Sequence, residues 1–271
     1  MGNRILFIVE GADDEKRFIE QYFSSTGVAT EYKVFRYGCN LYNFYDCLME
    51  AQPDGDFSEL DVLLALKSMA RRLPLKEDIN VLDDQYTDIF LAFDLDNHDT
   101  VHTMEQRHAI LQSMASYFTN STDLGLLLVS SPMVEAYRDV VVLGNEVPTL
   151  NKDIAIEQSV DYKCLVDQRG LKQGYSHFSK DTFLIISSLH HVRIKGLIGK
   201  IGNDNDAPIS FDPSAFVASL IQNLDEGSIP IAASITLVPA LLSSSIAEQV
   251  LSVPLDTGMH FKKLSKRSDK K

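Results

Sequence analysis

Cysteine is scarce in this 271-residue sequence: there are three, Cys39, Cys47 and Cys164. An odd count cannot make a fully paired disulfide framework, and the spacing fits no zinc site. The three are expected as reduced thiols of a cytoplasmic protein. Positive charge is scarce as well. The 25 Lys+Arg stand against 38 Asp+Glu, for a formal net charge of −13. The balance is uneven: the last ten residues hold six of the basic residues and one acid, leaving 19 basic and 37 acidic groups in the other 261. Such a body does not attract a polyanion over its whole surface. A nucleic acid would have to be held by a local basic patch, by metal ions or by the tail. Long apolar runs are missing too. The nearest approach, the 21 uncharged residues 227–247, contains Pro230, Pro239, five serines and Thr236. That is too polar for a spanning helix, which needs about 20 predominantly apolar residues. The stretch reads as a buried helical segment, and no membrane association is expected. Met1-Gly2-Asn3-Arg4 leads straight into a short apolar run, so no secretory signal is expected. No GxxxxGKS/T phosphate loop occurs.

What is present is the composition of an ordinary globular protein, with 45% apolar and 23% charged residues. Disorder is excluded as the main state. Arg4 to Val9 (RILFIV) is an apolar run of strand length. From Asp13 the period becomes helical, with Phe18, Ile19, Tyr22 and Phe23 at three- and four-residue spacing. Asp13, Asp14 and Glu15 fall in the first turn, where acids suit the helix dipole. Glu31 to Arg36 alternates like a second strand. Residues 37–85 read as a helical insertion, with Leu60, Leu63, Leu64, Leu66 and Met69 on an apolar stripe and no recognisable chemistry. Asp88 to Phe93 (DIFLAF) and Gly125 to Val129 (GLLLV) resume the strand pattern, separated by a helix over about Val101 to Phe118. This alternation predicts an α/β fold with a parallel, Rossmann-like sheet in residues 1–150. Segments 152–169, 179–191, 213–224 and 232–251 favour helices, giving a mainly helical C-terminal domain over 151–260. Residues 261–271 form a basic tail.

Three strands therefore end in polar or acidic residues. Ligands gather outside the carboxyl ends of strands in open α/β sheets. That places Glu10, Asp94, Asp96 and Glu135 at one sheet edge. On an extended chain Asp94 and Asp96 project to the same side. Two adjacent carboxylates repel unless a cation or proton lies between them, and Mg²⁺ takes one or two carboxylates while keeping waters. Glu10 would add a third carboxylate or act as a general base. Such a set suits metal-assisted phosphoryl transfer. Each motif also has a plain structural reading: D-x-D as a helix N-cap and turn, E-G as a turn with a permissive glycine. The string DLDNHD fails the calcium-loop template, because His98 is fifth, no glycine is sixth and a strand precedes it. His190-His191 is adjacent rather than i, i+4, which disfavours a ligand pair. Tyr37, Tyr42, Phe44 and Tyr45 fit core packing better than base stacking.

The ordered pair strand-VEGADDE-helix and strand-FDLDNHD-helix resembles the TOPRIM domain of topoisomerases, DnaG-type primases, OLD-family nucleases and small RNA-maturation nucleases. The family signature, a glutamate after the first strand and a DxD after a later one, matches Glu10 and Asp94/Asp96. Asp14 matches the assisting acid of the following turn, with Asp13 the near alternative. The segment SSPMVEAY (Ser130 to Tyr137) is similar to one in RloB-like and abortive-infection members, with Glu135 the matching acid. The resemblance covers about residues 4–36 and 86–140. It implies Mg²⁺ (or Mn²⁺) held by Glu10, Asp94 and Asp96, with Asp14 and Glu135 orienting water. It also implies a nuclease effector of bacterial anti-phage defence, cutting RNA (tRNA) or DNA, regulated by an ATPase partner and open to homo-oligomerisation. No transferable-tyrosine domain and no primase accessory module is evident. Two alternatives stay open: a non-catalytic interaction subunit that keeps the fold, and a small-nucleotide phosphohydrolase on another α/β fold.

Overall fold

The computed structural model describes residues 4–11, 14–28, 30–69, 79–141, 148–171, 175–199 and 209–253, without the side chains of Asp14 and Tyr175. Asp13 and the basic tail lie outside the described residues. The chain opens with β1 (Arg4–Val9), α1 (Asp14–Thr26) and β2 (Glu31–Arg36). Two helices, α2 (Leu41–Ala51) and α3 (Val62–Met69), precede β3 (Asp88–Asp94). Then come α4 (Met104–Tyr117), β4 (Thr119–Asn120) and β5 (Gly125–Ser131). Short strands β6 (Val140–Val141), β7 (Thr149–Leu150) and β8 (Ile154–Ala155) lead to α5 (Tyr162–Arg169), α6 (Lys180–Ile198) and α7 (Pro213–Asp225). The described chain ends with β9 (Ser228–Ile229), β10 (Ala232–Ala233), α8 (Val238–Leu242) and α9 (Ser244–Leu251).

The fold is α/β with a mixed, mostly parallel central sheet in the order β10-β5-β3-β1-β2. Strands β2, β1, β3 and β5 run parallel. β4 and β10 pair antiparallel along the outer side of β5. Ile5 to Val9 and Leu126 to Val129 are buried throughout, which is why they read as continuous apolar runs: a parallel strand is covered on both faces. The chain leaves β1 in one direction toward β2 and later passes from β3 the other way to β5. Right-handed crossovers then put α1 on one face and α2 to α4 on the other. The packing agrees: α1 lies against α6, while α2 lies against α3 and α4.

Helix boundaries follow local chemistry. Asn40 caps α2, its Oδ1 accepting from Asn43 N at 2.9 Å. Thr103 and Gln106 form a reciprocal capping box at the start of α4, three residues later than the sequence predicts. Asp212 caps α7 with Pro213 in its first turn, where a missing N–H costs nothing.

The C-terminal region differs from expectation in two ways. The apolar core does not divide near residue 150: Phe183, Phe216, Ile231 and Ala233 pack in one cluster with the β1, β3 and β5 residues. Tyr22 of α1 stacks on Phe183 of α6 with ring centroids 4.6 Å apart, and its hydroxyl donates to Thr236 O at 2.8 Å. Second, the apolar 227–247 stretch is not one helix. It supplies β9, then β10 as the sheet's antiparallel edge, and only afterwards α8. One serine from each side fastens it to β5. Ser234 Oγ donates to Val129 O at 2.8 Å, and across the same edge Ser131 Oγ donates to Pro230 O at 2.6 Å. Among the described residues no helix is long and apolar enough to cross a membrane. In the insertion, Val62, Ala65, Leu66 and Met69 form the buried stripe of α3, and Leu64 faces solvent.

Candidate functional site

Glu10 follows β1 and Asp94 ends β3, the two central strands between which the chain order reverses. That is the switch point where open α/β sheets form a crevice. The backbone fixes the pair closely. Glu10 N donates to Ala92 O at 3.2 Å, and Asp94 N donates to Glu10 Oε2 at 3.0 Å. Asp94 Oδ1 in turn accepts from Val134 N at 2.7 Å, so the segment after β5 is tied to the same point. Glu135, one residue on, is buried, and Lys163 Nζ of α5 donates to its Oε1 at 2.8 Å.

Asp96 reaches the cluster by another route than strand alternation. The strand stops at Asp94, and Asp96 sits at φ +39°, the one positive φ among the described non-glycine residues. Its left-handed turn is closed by Asp99 N donating to Asp96 O at 3.2 Å. Its Oδ2 accepts from Asn40 Nδ2 at 2.6 Å. The two aspartates of the DxD motif therefore do not point in parallel. Asp94 faces the Val134–Glu135 segment, and Asp96 faces the start of α2.

Among the described side chains of α1, the acid that joins the site is Glu15, which the sequence places only where an acid suits the helix dipole. Glu15 is buried, and its carboxylate lies directly over Gly11: a Cβ added there would fall 2.2 Å from Glu15 Oε2. A side chain at Gly11 would therefore displace the Glu15 carboxylate from its place. A signal was available. Glu15 shares the three- and four-residue spacing of Phe18, Ile19 and Tyr22, which places it on the inward face of α1. Asp14 opens α1, and its side chain lies outside the described residues.

Electrostatics mark this cluster as unusual. Burial, together with the nearby Asp96 and Glu15 carboxylates, pushes Glu10 up to about 8 despite the Asp94 amide. Burial, then Glu10, Glu15 and Glu135, raises Asp94 well above the carboxylate range. As a residue Asp94 keeps some exposed surface. Lys163 is engaged at its margin by Glu135. Lys152 is exposed. Arg193 is held by Asp153. Buried His190 is no ligand: its Nδ1 accepts from Ala233 N at 3.1 Å and fastens β10 to α6. Tyr37, Tyr42 and Phe44 are core residues. Cys39, Cys47 and Cys164 are free thiols.

A second carboxylate matters to packing and was not visible in sequence. Fully buried Asp139 accepts from Arg169 Nε at 3.0 Å and Nη2 at 2.6 Å, and from Tyr162 Oη at 2.9 Å.

Glu10, Glu15, Asp94, Asp96 and Glu135 offer only oxygen, the preference of Mg²⁺ and Mn²⁺. Their mutual repulsion, expressed in the raised Glu10 and Asp94, is what a bound cation relieves. Among the described residues no three acidic, histidine or cysteine side chains stand as a ready-made cage. Mg²⁺ does not need one, since it binds through one or two carboxylates and retains water. The residues fit. Comparison with protein-family models, curated proteins and solved structures finds no match for this chain.

Proposed function

We propose that this protein is a Mg²⁺- or Mn²⁺-dependent phosphodiesterase of TOPRIM type, a nuclease effector that cuts RNA or DNA in bacterial anti-phage defence under the control of an ATPase partner. One observation carries the reading: Glu10 and Asp94 meet at the switch point of the sheet, hydrogen-bonded to each other and ringed by three further carboxylates. A fold gains nothing in stability from such crowding, and perturbed carboxylates in a crevice are characteristic of functional sites.

Glu10, Asp94 and Asp96 would hold the metal, which when bound neutralises charge on a phosphoryl group. Glu10 Oε2 is engaged by Asp94 N, so Oε1 is the atom left to take or return a proton. Glu135, with Lys163 beside it, and Glu15 orient water at the margin. Lys163, paired with Glu135, is a cation at the margin able to meet a phosphate oxygen.

A second reading, a non-catalytic interaction subunit, is favoured by the lack of a ready-made ion cage among the described residues. The test is induced expression in a bacterial host, wild type beside Glu10→Ala and Asp94→Ala/Asp96→Ala, with total nucleic acid sequenced for new ends. Growth arrest with defined cuts, lost in both variants, supports the nuclease and names its substrate. No cuts with neighbouring genes co-expressed and phage added supports the interaction subunit.

A further inference from the structure

The helical insertion shows no chemistry in the sequence, yet three of its residues grip the loop that carries Asp96. Asn40 Nδ2 donates to Asp96 Oδ2 at 2.6 Å. Tyr42 Oη donates to Leu95 O at 3.0 Å. Asp46 Oδ2 lies 3.2 Å from His102 Nε2. His102 Nδ1 lies 2.9 Å from Asp99 Oδ2, which also accepts from His102 N at 2.8 Å. The imidazole is therefore held between two carboxylates, one on the loop after β3 and one on α2, with the Tyr42 ring 5.8 Å from its centroid. Asn40 reaches Asp99 as well. Burial pushes the Asp99 carboxyl up, but the His102 backbone and ring and the Asn40 amide outweigh it and hold Asp99 below the carboxylate range. The side chains of His102 and Asp99 are 11% and 3% exposed, so that half of the bridge is not a screened surface pair, whereas Asp46 on α2 is half exposed.

We infer that α2 is the positioning element of the second aspartate: Asn40 sets the direction of the Asp96 carboxylate, and His102, gripping Asp46 and Asp99, locks α2 in the place from which Asn40 can do so. The physical reason lies in the turn. A non-glycine residue at positive φ is disfavoured and persists only when its surroundings over-determine it. Here the Asp99 amide closes the turn, and α2 holds the Asp96 side chain through Asn40 and the Leu95 carbonyl through Tyr42. Partners of metal-ligating carboxylates commonly orient them in this way. Asn40 and His102 touch no substrate in this account; they act through Asp96. A macromolecule that shifts α2 would thereby alter the site.

This inference rests on the metal reading above, and its experiment separates the two. Mn²⁺ binding to the full chain is measured by titration calorimetry for wild type, Glu10→Gln, Asn40→Ser and His102→Gln, with thermal unfolding recorded for each without metal. Serine is as good an N-cap as asparagine, so Asn40→Ser preserves α2 while withdrawing the donor from Asp96. The expected result is a loss of about 10-fold or more in Mn²⁺ affinity for Asn40→Ser and His102→Gln, with the Asn40→Ser unfolding temperature close to wild type. Wild-type affinity in both variants, with binding lost in Glu10→Gln, overturns the positioning role and leaves the metal reading standing. Failure of the wild type to bind Mn²⁺ overturns both.

Discussion

The carboxylate of Glu10 and the backbone amide of Asp94 are joined by a 3.0 Å hydrogen bond across the two central strands. This contact turns the glutamate inward, over Asp94, and holds it among other carboxylates. An amide donor normally lowers a carboxyl group's proton affinity, but here burial and like charge prevail. The site is strained electrostatically, and the strain is testable.

Removing one of the crowded charges should stabilise the metal-free protein. Glu10→Gln keeps an oxygen for the Asp94 amide, and Asp94→Asn keeps one for Val134 N. Each is expected to raise metal-free stability by about 1 kcal/mol while abolishing divalent-cation binding. Chemical denaturation with and without Mn²⁺ checks this. A site that merely supports the fold would lose stability in both variants.

The same relationship sets a pH dependence. Glu10 binds its proton more tightly in the folded state, about 8 against an ordinary value of 4.5. The folded chain then holds more protons than the unfolded one between these values. By linkage its contribution is fully present below about pH 4.5 and is lost as pH rises through about 8. Metal-free stability should fall across that window, and Glu10→Gln should flatten the slope. Urea midpoints at half-unit pH intervals measure it.

His190 works in the opposite direction. Burial lowers its affinity for a second proton, from an ordinary 6.5 to about 4, against the pull of nearby backbone carbonyls. Its contribution is present above about pH 6.5 and is lost as pH falls through about 4. His190→Gln, which retains an acceptor for Ala233 N, should reduce the acid sensitivity in that range. Circular dichroism during acid titration shows whether the transition moves down in pH.

Arg169→Ala should be among the more damaging changes outside the site. It leaves Asp139 fully buried with Tyr162 and Asn151 but without its counter-charge. Breaking a buried pair from one side costs about 3 kcal/mol or more, and the lower end applies because Arg169 is partly exposed. Denaturant unfolding gives the value directly.

Much of this was legible in the sequence because it depends on local pattern. The apolar runs RILFIV, DIFLAF and GLLLV are strands because their residues are buried on both faces, and a parallel sheet with helical crossovers follows from their alternation with helical stretches. Glu10, Asp94 and Glu135 were identifiable because each follows such a run and must emerge at one sheet edge. Other features depend on residues far apart in the chain. Asp96 owes its position to a left-handed turn held by Asn40, 56 residues away, which no extended-chain alternation describes. Glu15 could be found from the inward face of α1, but its approach to Asp94 could not. The serines of 227–247 argued against a membrane helix in sequence; only the tertiary structure shows that one of them, Ser234, bonds to Val129 of β5. The sequence by itself determined strand and helix type and the edge at which the acids emerge, since periodicity and burial are properties of single segments. The tertiary structure decided which acids converge and what α2 holds in place, since like charges crowd and hydrogen bonds close only when distant segments meet.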